Sequence, residues 1–342
     1  MTRRTVVLIA GIATLTCGAL VVTTADADKW LRFDLTDRAR ALDGQVPAPP
    51  RSAHERPRFY LSSAGSTLIQ KRLAAPQPTG AEAAGFEQVP PPRIEFRPDV
   101  SQATTAPWID SNGARFQRGL KKAHYAKLPA GSAPLAAAEA YTYGVDAILN
   151  PDPSDLDALG SMLQFLNAQS RPPLPVMANV GVVDDGSAQM GEILNLLTRR
   201  NLLYRVVAAP DRTLNLTVQL GTAEFPKEAA ADPYAFAARV RAKIGDDNRL
   251  IRLYGTSTVV AHLTGDGTRL RLYLLSYGGR GRQQRGQPSI RVRVVGRYEP
   301  VAFAAYGTEA DAKLTDVDNP GKTTEFSVPS FVTIAMVDLR AR

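Results

Sequence analysis

Four carboxylates stand in surroundings where acid–base work is conceivable: Asp110, Glu139, Asp184 and Asp185. Glycoside hydrolysis needs two such groups about 5–9.5 Å apart, one protonated and one ionised. Asp184 and Asp185 belong to Asp184-Asp185-Gly186-Ser187, which follows the β-branched run Val176 to Val183 and precedes a helix. That is the edge at which open α/β sheets bind ligands. The same residues, Ser187 above all, serve equally well as helix caps that satisfy orphan amides. Glu139 lies in an Ala-rich helical stretch, where a solvated role is the simplest one. In Trp108-Ile109-Asp110-Ser111-Asn112-Gly113, with Arg115 close behind, aromatic and polar groups alternate. Trp108, Asn112 and Arg115 are therefore candidate sugar ligands, through ring stacking and hydroxyl hydrogen bonds. The plainer alternative is a turn anchored by one core tryptophan.

Other chemistries are excluded by counting. No Gly-x-Ser-x-Gly occurs, and one cysteine with three histidines leaves no thiolate cluster and no zincin motif. His54, His124 and His262 are widely separated, so neither a metal nor a cofactor is expected. Gly278-Gly279-Arg280-Gly281 is followed by no Gly-Lys-Ser/Thr and opens no helix, so it reads as a loop.

Charge is concentrated in one place. The chain carries +8, yet residues 248–298 hold ten arginines against the single acid Asp266, so that segment is +9 and the rest nets about −1. If the strands carrying Arg269 and Arg271 and those carrying Arg291 and Arg293 are neighbours, the four guanidinium groups share a wet face and call for an anion. Arginine pairs bidentately with carboxylate, sulfate or phosphate. Acidic residues elsewhere in the chain are the intramolecular alternative. An anionic glycan or an anionic surface is the expected partner, with a protein partner or a second copy also open; no nucleic-acid motif is present.

The elements that must position these groups follow from periodicity. With 342 residues the chain has length for about two domains at ~150 residues each. Residues 132–143 have strong helix propensity, and a second helix carries Leu156, Leu159, Leu163 and Leu166. The strand at Val176–Val183, a helix with Met190, Ile193, Leu194 and Leu197, strands near 203–208 and 214–220, a helix opened by Asp232-Pro233, and a strand at 250–254 give an α/β rhythm. After 255 only strands remain, beginning with a hairpin at Gly265-Asp266-Gly267. The expected fold class is α/β, with a small, mostly parallel flavodoxin-like sheet over 108–254, then an all-β sandwich over 255–342. Residues 28–107, rich in proline, read as a linker that wraps over the folded modules C-terminal to it.

Residues 1–27 read as a signal segment: Arg3-Arg4, an uncharged run from Thr5 to Ala25, and small residues at 25 and 27. Export to a periplasmic or extracellular location is expected, either with cleavage after Ala27 or with the segment retained as an anchor. Cleavage would remove Cys17, the only thiol.

In module order, residues 176–339 resemble the distal part of β-galactosidase-type glycoside hydrolases, a flavodoxin-like domain similar to class I glutamine amidotransferases followed by a β-sandwich. The resemblance is carried by Val180-Gly181-Val182-Val183-Asp184-Asp185-Gly186-Ser187, Leu196-Leu197-Thr198-Arg199-Arg200-Asn201 and Tyr273-Leu274-Leu275-Ser276-Tyr277. The amidotransferase cysteine is absent, and the stretch between the signal segment and the second helix is too short for a full catalytic barrel of ~250 residues. What the resemblance implies is an exported, non-catalytic accessory protein that binds a glycan or a partner. The alternatives are a hydrolase using paired carboxylates and an envelope protein docking through its arginines.

Overall fold

The computed structural model describes residues 31–34, 40–41, 58–61, 85–95, 108–169, 172–278 and 288–342. The signal segment, Cys17, His54 and Arg280, Arg282 and Arg285 lie outside these residues, as does most of the proline-rich stretch. The content is mixed α/β, arranged as several sheets, one of them small and parallel and others antiparallel. Among the described residues no helix is long and apolar enough to cross a membrane.

The first sheet has six strands in the order β2-β1-β3-β8-β7-β4. They are β1 (Leu31–Asp34), β2 (Arg40–Ala41), β3 (Arg58–Leu61), β4 (Glu87–Gln88), β7 (Lys122–Tyr125) and β8 (Asp146–Leu149). β3, β8, β7 and β4 run parallel, with Phe59 opposite Ala147, and four of the six strands, β1 to β4, come from residues 28–107. Between β4 and β7 come the hairpin of β5 (Arg93–Glu95) and β6 (Trp108–Asp110), then the short helix α1 (Gly113–Gln117). Helix α2 (Ala133–Thr142) begins and ends where its propensity indicates, and all ten of its residues are buried. Alanine side chains allow a sheet and a sandwich to close on both sides of one helix, and a helix apolar all round belongs in a core. The Asp155 carboxylate caps it from a distance, accepting from the Gly131 and Ala133 amides at 2.6 and 3.1 Å. Helix α3 (Leu156–Ala168) buries Leu159, Leu163 and Leu166 of the expected stripe together with Met162, while Leu156 is partly buried against the same core.

The second sheet is three-stranded and parallel, β10-β9-β11, with β9 (Val180–Val183), β10 (Tyr204–Val207) and β11 (Leu216–Val218). Helices α4 (Ala188–Arg199) and α5 (Pro233–Ile244) pack together in its core. Both are capped as the sequence indicates, by Ser187 Oγ accepting from the Met190 amide at 3.1 Å and by the Asp232 carboxylate accepting from that of Ala235 at 2.9 Å. The stretch 108–254 is thus divided among separate sheets. β12 (Ile251–Tyr254), which by rhythm closes the α/β unit, instead pairs antiparallel with a sandwich strand. A single amphipathic strand carries no signal for which sheet it will join.

The sandwich consists of β12-β15-β18-β17 against β13-β14-β19-β16. Its strands are β13 (Val259–Gly265), β14 (Arg269–Ser276), β15 (Ile290–Val295), β16 (Tyr298–Ala305), β17 (Thr315–Asp318), β18 (Thr323–Val328) and β19 (Ile334–Ala341). β15 alternates as expected, with Ile290, Val292 and Val294 buried and the arginines between them outward. β14 does not: Leu270, Leu272 and Leu274 enter the sandwich core, while Tyr273, Leu275 and the following Tyr277 pack into the core that contains α2. The face that alternation marks as wet is covered by a helix.

β13 is an edge strand, a surface prone to unwanted pairing unless occupied. Asn201, at φ +54° just past α4, occupies it. Its Nδ2 donates to the Val259 carbonyl at 3.1 Å and its Oδ1 accepts from the Ala261 amide at 2.6 Å. Asn201→Gly keeps the left-handed turn and loses both bonds, for an expected cost of about 1–3 kcal/mol. Asn201→Ala adds the left-handed penalty of about 1 kcal/mol, so urea midpoints are expected to rank wild type, glycine, alanine. Equal midpoints for all three would remove this edge contact from the stability argument.

Candidate functional site

The structure joins two features that the sequence presents separately. Glu139 is fully buried in α2, and its carboxylate is surrounded by the Trp108–Gly113 stretch and by Tyr277 from the end of β14. Oε1 accepts from Ser111 Oγ at 3.1 Å, from the Asn112 amide at 2.9 Å and from the Tyr277 hydroxyl at 2.6 Å. Oε2 accepts from Asn112 Nδ2 at 2.9 Å and from the Tyr125 hydroxyl at 3.0 Å. Two carboxylate oxygens offer about four lone-pair sites, so five donors saturate the group. Burial, and then the Glu139 charge, push the Tyr125 and Tyr277 phenols well above their ordinary range, which keeps both as donors. Glu139 is therefore not solvated, as an exposed reading of its helix expects. The available sequence signal is its neighbourhood: Leu135, Ala136, Thr142 and Tyr143 occupy the flanking turns with no cation for a surface carboxylate. The network ties a loop, a helix, a parallel strand and a sandwich strand to one point.

The other acids are distributed. Asp110 lies opposite Arg93 in the β5/β6 hairpin and accepts from its Nε at 3.1 Å; Arg93 also pairs with Glu95. Asp184 accepts from Arg118 at 2.9 Å and from the Gly186 amide at 3.0 Å. Arg118, which stands just behind the Trp108–Gly113 stretch in the sequence and whose pairing with Asp184 no spacing announces, comes from the end of α1 and also donates to the Ser187 carbonyl at 3.2 Å, tying the first unit to the second. Asp185 is exposed and closes a turn on the Ser187 amide at 2.9 Å; hydrogen bonds from Ser187 hold its carboxyl below the ordinary range. Trp108 is 5% exposed, with the Arg199 guanidinium stacked 4.8 Å from its ring centroid. Its face is occupied by the chain's own arginine, not presented as a stacking platform. Asn112 spends its amide on Glu139 and on the Pro90 carbonyl, and its Oδ1 accepts from Arg115 at 3.0 Å.

The four arginines singled out by charge fall in different sheets, because β14 neighbours β13 and β19 whereas β15 neighbours β12 and β18. Arg269 clasps Asp266 at the hairpin, with Nε and Nη2 at 3.1 and 2.7 Å. Arg271 is buried against Asp338, its cross-strand partner, at 2.6 Å. Arg291 pairs with Glu325 at 3.2 Å and donates to the Asp316 carbonyl at 2.7 Å. Arg293 faces Asp247 at 3.9 Å. Among the described residues, Arg249, Arg252, Arg271, Arg291 and Arg293 thus have acid partners outside the segment, Asp247 being shared by two of them. Among the described residues no group of His, Cys, Asp and Glu is placed to hold a metal ion.

No family model matches the chain, and no curated protein matches it. Solved structures align weakly. Alpha-L-fucosidase isoenzyme 2 from Paenibacillus thiaminolyticus aligns at 9% identity and TM-score 0.41, over 68% of this chain and 58% of that one. An alpha-amylase from H. orenii aligns at 11% identity and TM-score 0.18, over 82% and 66%, and Amy13B of Eubacterium rectale at 11% and 0.16, over 63% and 52%. The chain spans just over half of the fucosidase. All three are glycoside hydrolases, and at these scores the likeness assigns neither a family nor an activity.

Proposed function

We propose that this is an exported, carbohydrate-associated accessory protein that binds a glycan without hydrolysing it. The observation that carries the non-catalytic half is the state of the four candidate acids. Glu139 is saturated by five donors, Asp110 and Asp184 are each held by an arginine, and Asp185 closes an exposed turn. A glycosidase acid must reach the leaving oxygen and keep a raised pKa next to an ionised partner; these four already hold hydrogen bonds within the protein, and none faces another as a pair. Support for the carbohydrate half comes from the module order, a parallel α/β unit followed by a sandwich, which resembles the distal part of β-galactosidase-type hydrolases.

The test is binding and release of reducing ends by the full chain across neutral and anionic polysaccharides, at low and high salt. Binding without release is the expected result. Reducing ends released by wild type, and lost in Asp110→Asn or Asp184→Asn, would make the protein a hydrolase. Absence of binding to every polysaccharide would instead direct the search to a protein partner.

A further inference from the structure

Open α/β sheets bind ligands at the carboxyl ends of their strands, and here Ser187 and Asp184 at that edge are engaged by the helix cap and by Arg118. The opposite edge is open. A cleft of about 460 Å³ lies where Asn179 and Asn215, each immediately before a strand of the parallel sheet, meet the turn Asp247-Asn248, Arg293 of β15 and Lys322. That volume is within the ~300–1,000 Å³ usual for small-molecule sites. The lining also has an apolar part, Leu250, Val295 and Pro320, alongside its polar groups.

The polar groups divide into those that build the cleft and those left to act in it. Asn179 is structural: buried, it donates to Asn215 Oδ1 at 3.1 Å and to the Asn248 carbonyl at 2.8 Å, and accepts from the Leu250 amide at 2.8 Å. Asn215 keeps its Nδ2 free for a ligand oxygen, and Asn248 keeps its Oδ1, since its own Nδ2 is given to the Ile244 carbonyl. The cations are under-neutralised. Arg293 and its cross-strand neighbour Arg252 share one carboxylate, Asp247, each at 3.9 Å, and that side chain is 95% exposed. The remaining contacts of Arg293 are long, 3.3 and 3.5 Å to the Asp247 and Asp246 carbonyls. Lys322 is exposed and has no carboxylate partner among the described residues. Arg293 and Lys322 thus bring more positive charge to the cleft than Asp247 cancels, a field that favours an anionic group. An inorganic ion would leave the amides, the Asp247 carboxylate and the apolar floor unused, whereas a sugar ring supplies C–H faces and hydroxyls for them.

We propose that this cleft binds a carboxylated sugar residue, its carboxylate held by Arg293 and Lys322 and its hydroxyls by Asp247, Asn215 and Asn248. The site rests on the glycan-binding reading above and names its ligand class as uronate. The experiment is calorimetric titration of the full chain with digalacturonate, the neutral disaccharide of the same linkage, and inorganic phosphate. Digalacturonate is expected to bind best, with the other two about 10-fold weaker or more, and to weaken as salt is raised. Lys322→Met, an exposed change that leaves the fold alone, is expected to lower digalacturonate affinity about 10-fold, and Asp247→Asn to leave it equal or tighter. Equal binding of the neutral disaccharide or of phosphate, unchanged affinity in Lys322→Met, or no digalacturonate binding would each overturn the site. Neutral glycans bound with an affinity that Lys322→Met does not alter would leave the glycan reading standing and remove the cleft. Digalacturonate held by the cleft with no polysaccharide bound at all would do the reverse.

Discussion

Glu139→Ala is expected to destabilise the protein by about 3–5 kcal/mol, read as a lowered urea midpoint at constant slope, because one truncation strands several buried donors at once. Ser111 Oγ, the Asn112 amide and the hydroxyls of Tyr125 and Tyr277 lose this acceptor, and Asn112 Nδ2 keeps only the Pro90 carbonyl. Part of the loss is recoverable, since the Tyr277 hydroxyl lies 2.9 Å from Ser111 Oγ and can turn to it. Glu139→Gln is expected to cost less, about 1–3 kcal/mol. Its amide oxygen is best placed on the side with three donors, which turns the NH2 toward Tyr125 and Asn112 Nδ2. The tyrosine hydroxyl can rotate to accept, but Asn112 Nδ2 cannot, so one donor faces another. Tyr277→Phe removes the bond to the sandwich strand alone. An alanine variant within about 1 kcal/mol of wild type would show that the network is dispensable to the fold.

The contrast between Glu139 and Ser187 shows which parts of this molecule were legible in the sequence. Ser187 sits next to the amides it caps, and Met190, Ile193, Leu194 and Leu197 repeat at helical spacing, so one window of sequence holds the whole signal. The same holds for the ends of α2, the hairpin at Gly265–Gly267 and the alternation of Arg291 and Arg293 with buried valines. Glu139 is held by residues up to 138 positions away. Its helix states its propensity but not that a sheet and a sandwich close on both faces. Partner choice failed for the same reason: β12 joined the sandwich, and Arg271 and Arg291 fell in different sheets. The cleft at the amino ends of β9 and β11 was missed because the rule about strand ends concerns the other edge. By sequence, Asn179 and Asn215 also fall inside strands, whereas the strands begin just after them, and only the parallel pairing brings the two asparagines together.

Acidification from pH 7.5 to 5 is expected to remove about 2 kcal/mol of stability through one residue, His262. Its ring is fully buried on β13, on the face turned toward the helical layer, with the Tyr143 ring centroid at 4.6 Å and that of Tyr273 at 6.1 Å. Desolvation pushes its pKa down from the ordinary 6.5 to about 4. A depressed histidine is neutral in the folded state while the unfolded chain takes up a proton, so stability falls as pH drops below about 6.5. The fall has a slope of about 1.4 kcal/mol per pH unit until the folded form is protonated near pH 4. Above pH 7 neither state is charged and the contribution vanishes. Carboxylates such as Asp185, whose pKa is lowered, destabilise on protonation only at more acidic pH, which is why pH 5 separates the two effects. His262→Phe keeps an aromatic ring between the two tyrosines and removes the titrating group. Urea unfolding of both proteins at pH 7.5 and pH 5 isolates the histidine as a difference of differences, with the phenylalanine variant expected to lose about 2 kcal/mol less. Identical losses would mean that the acid sensitivity lies elsewhere. Because His262 and Glu139 lie on the same side of the sandwich, a loss confined to wild type would place the acid-sensitive group in the contact between sandwich and helical layer.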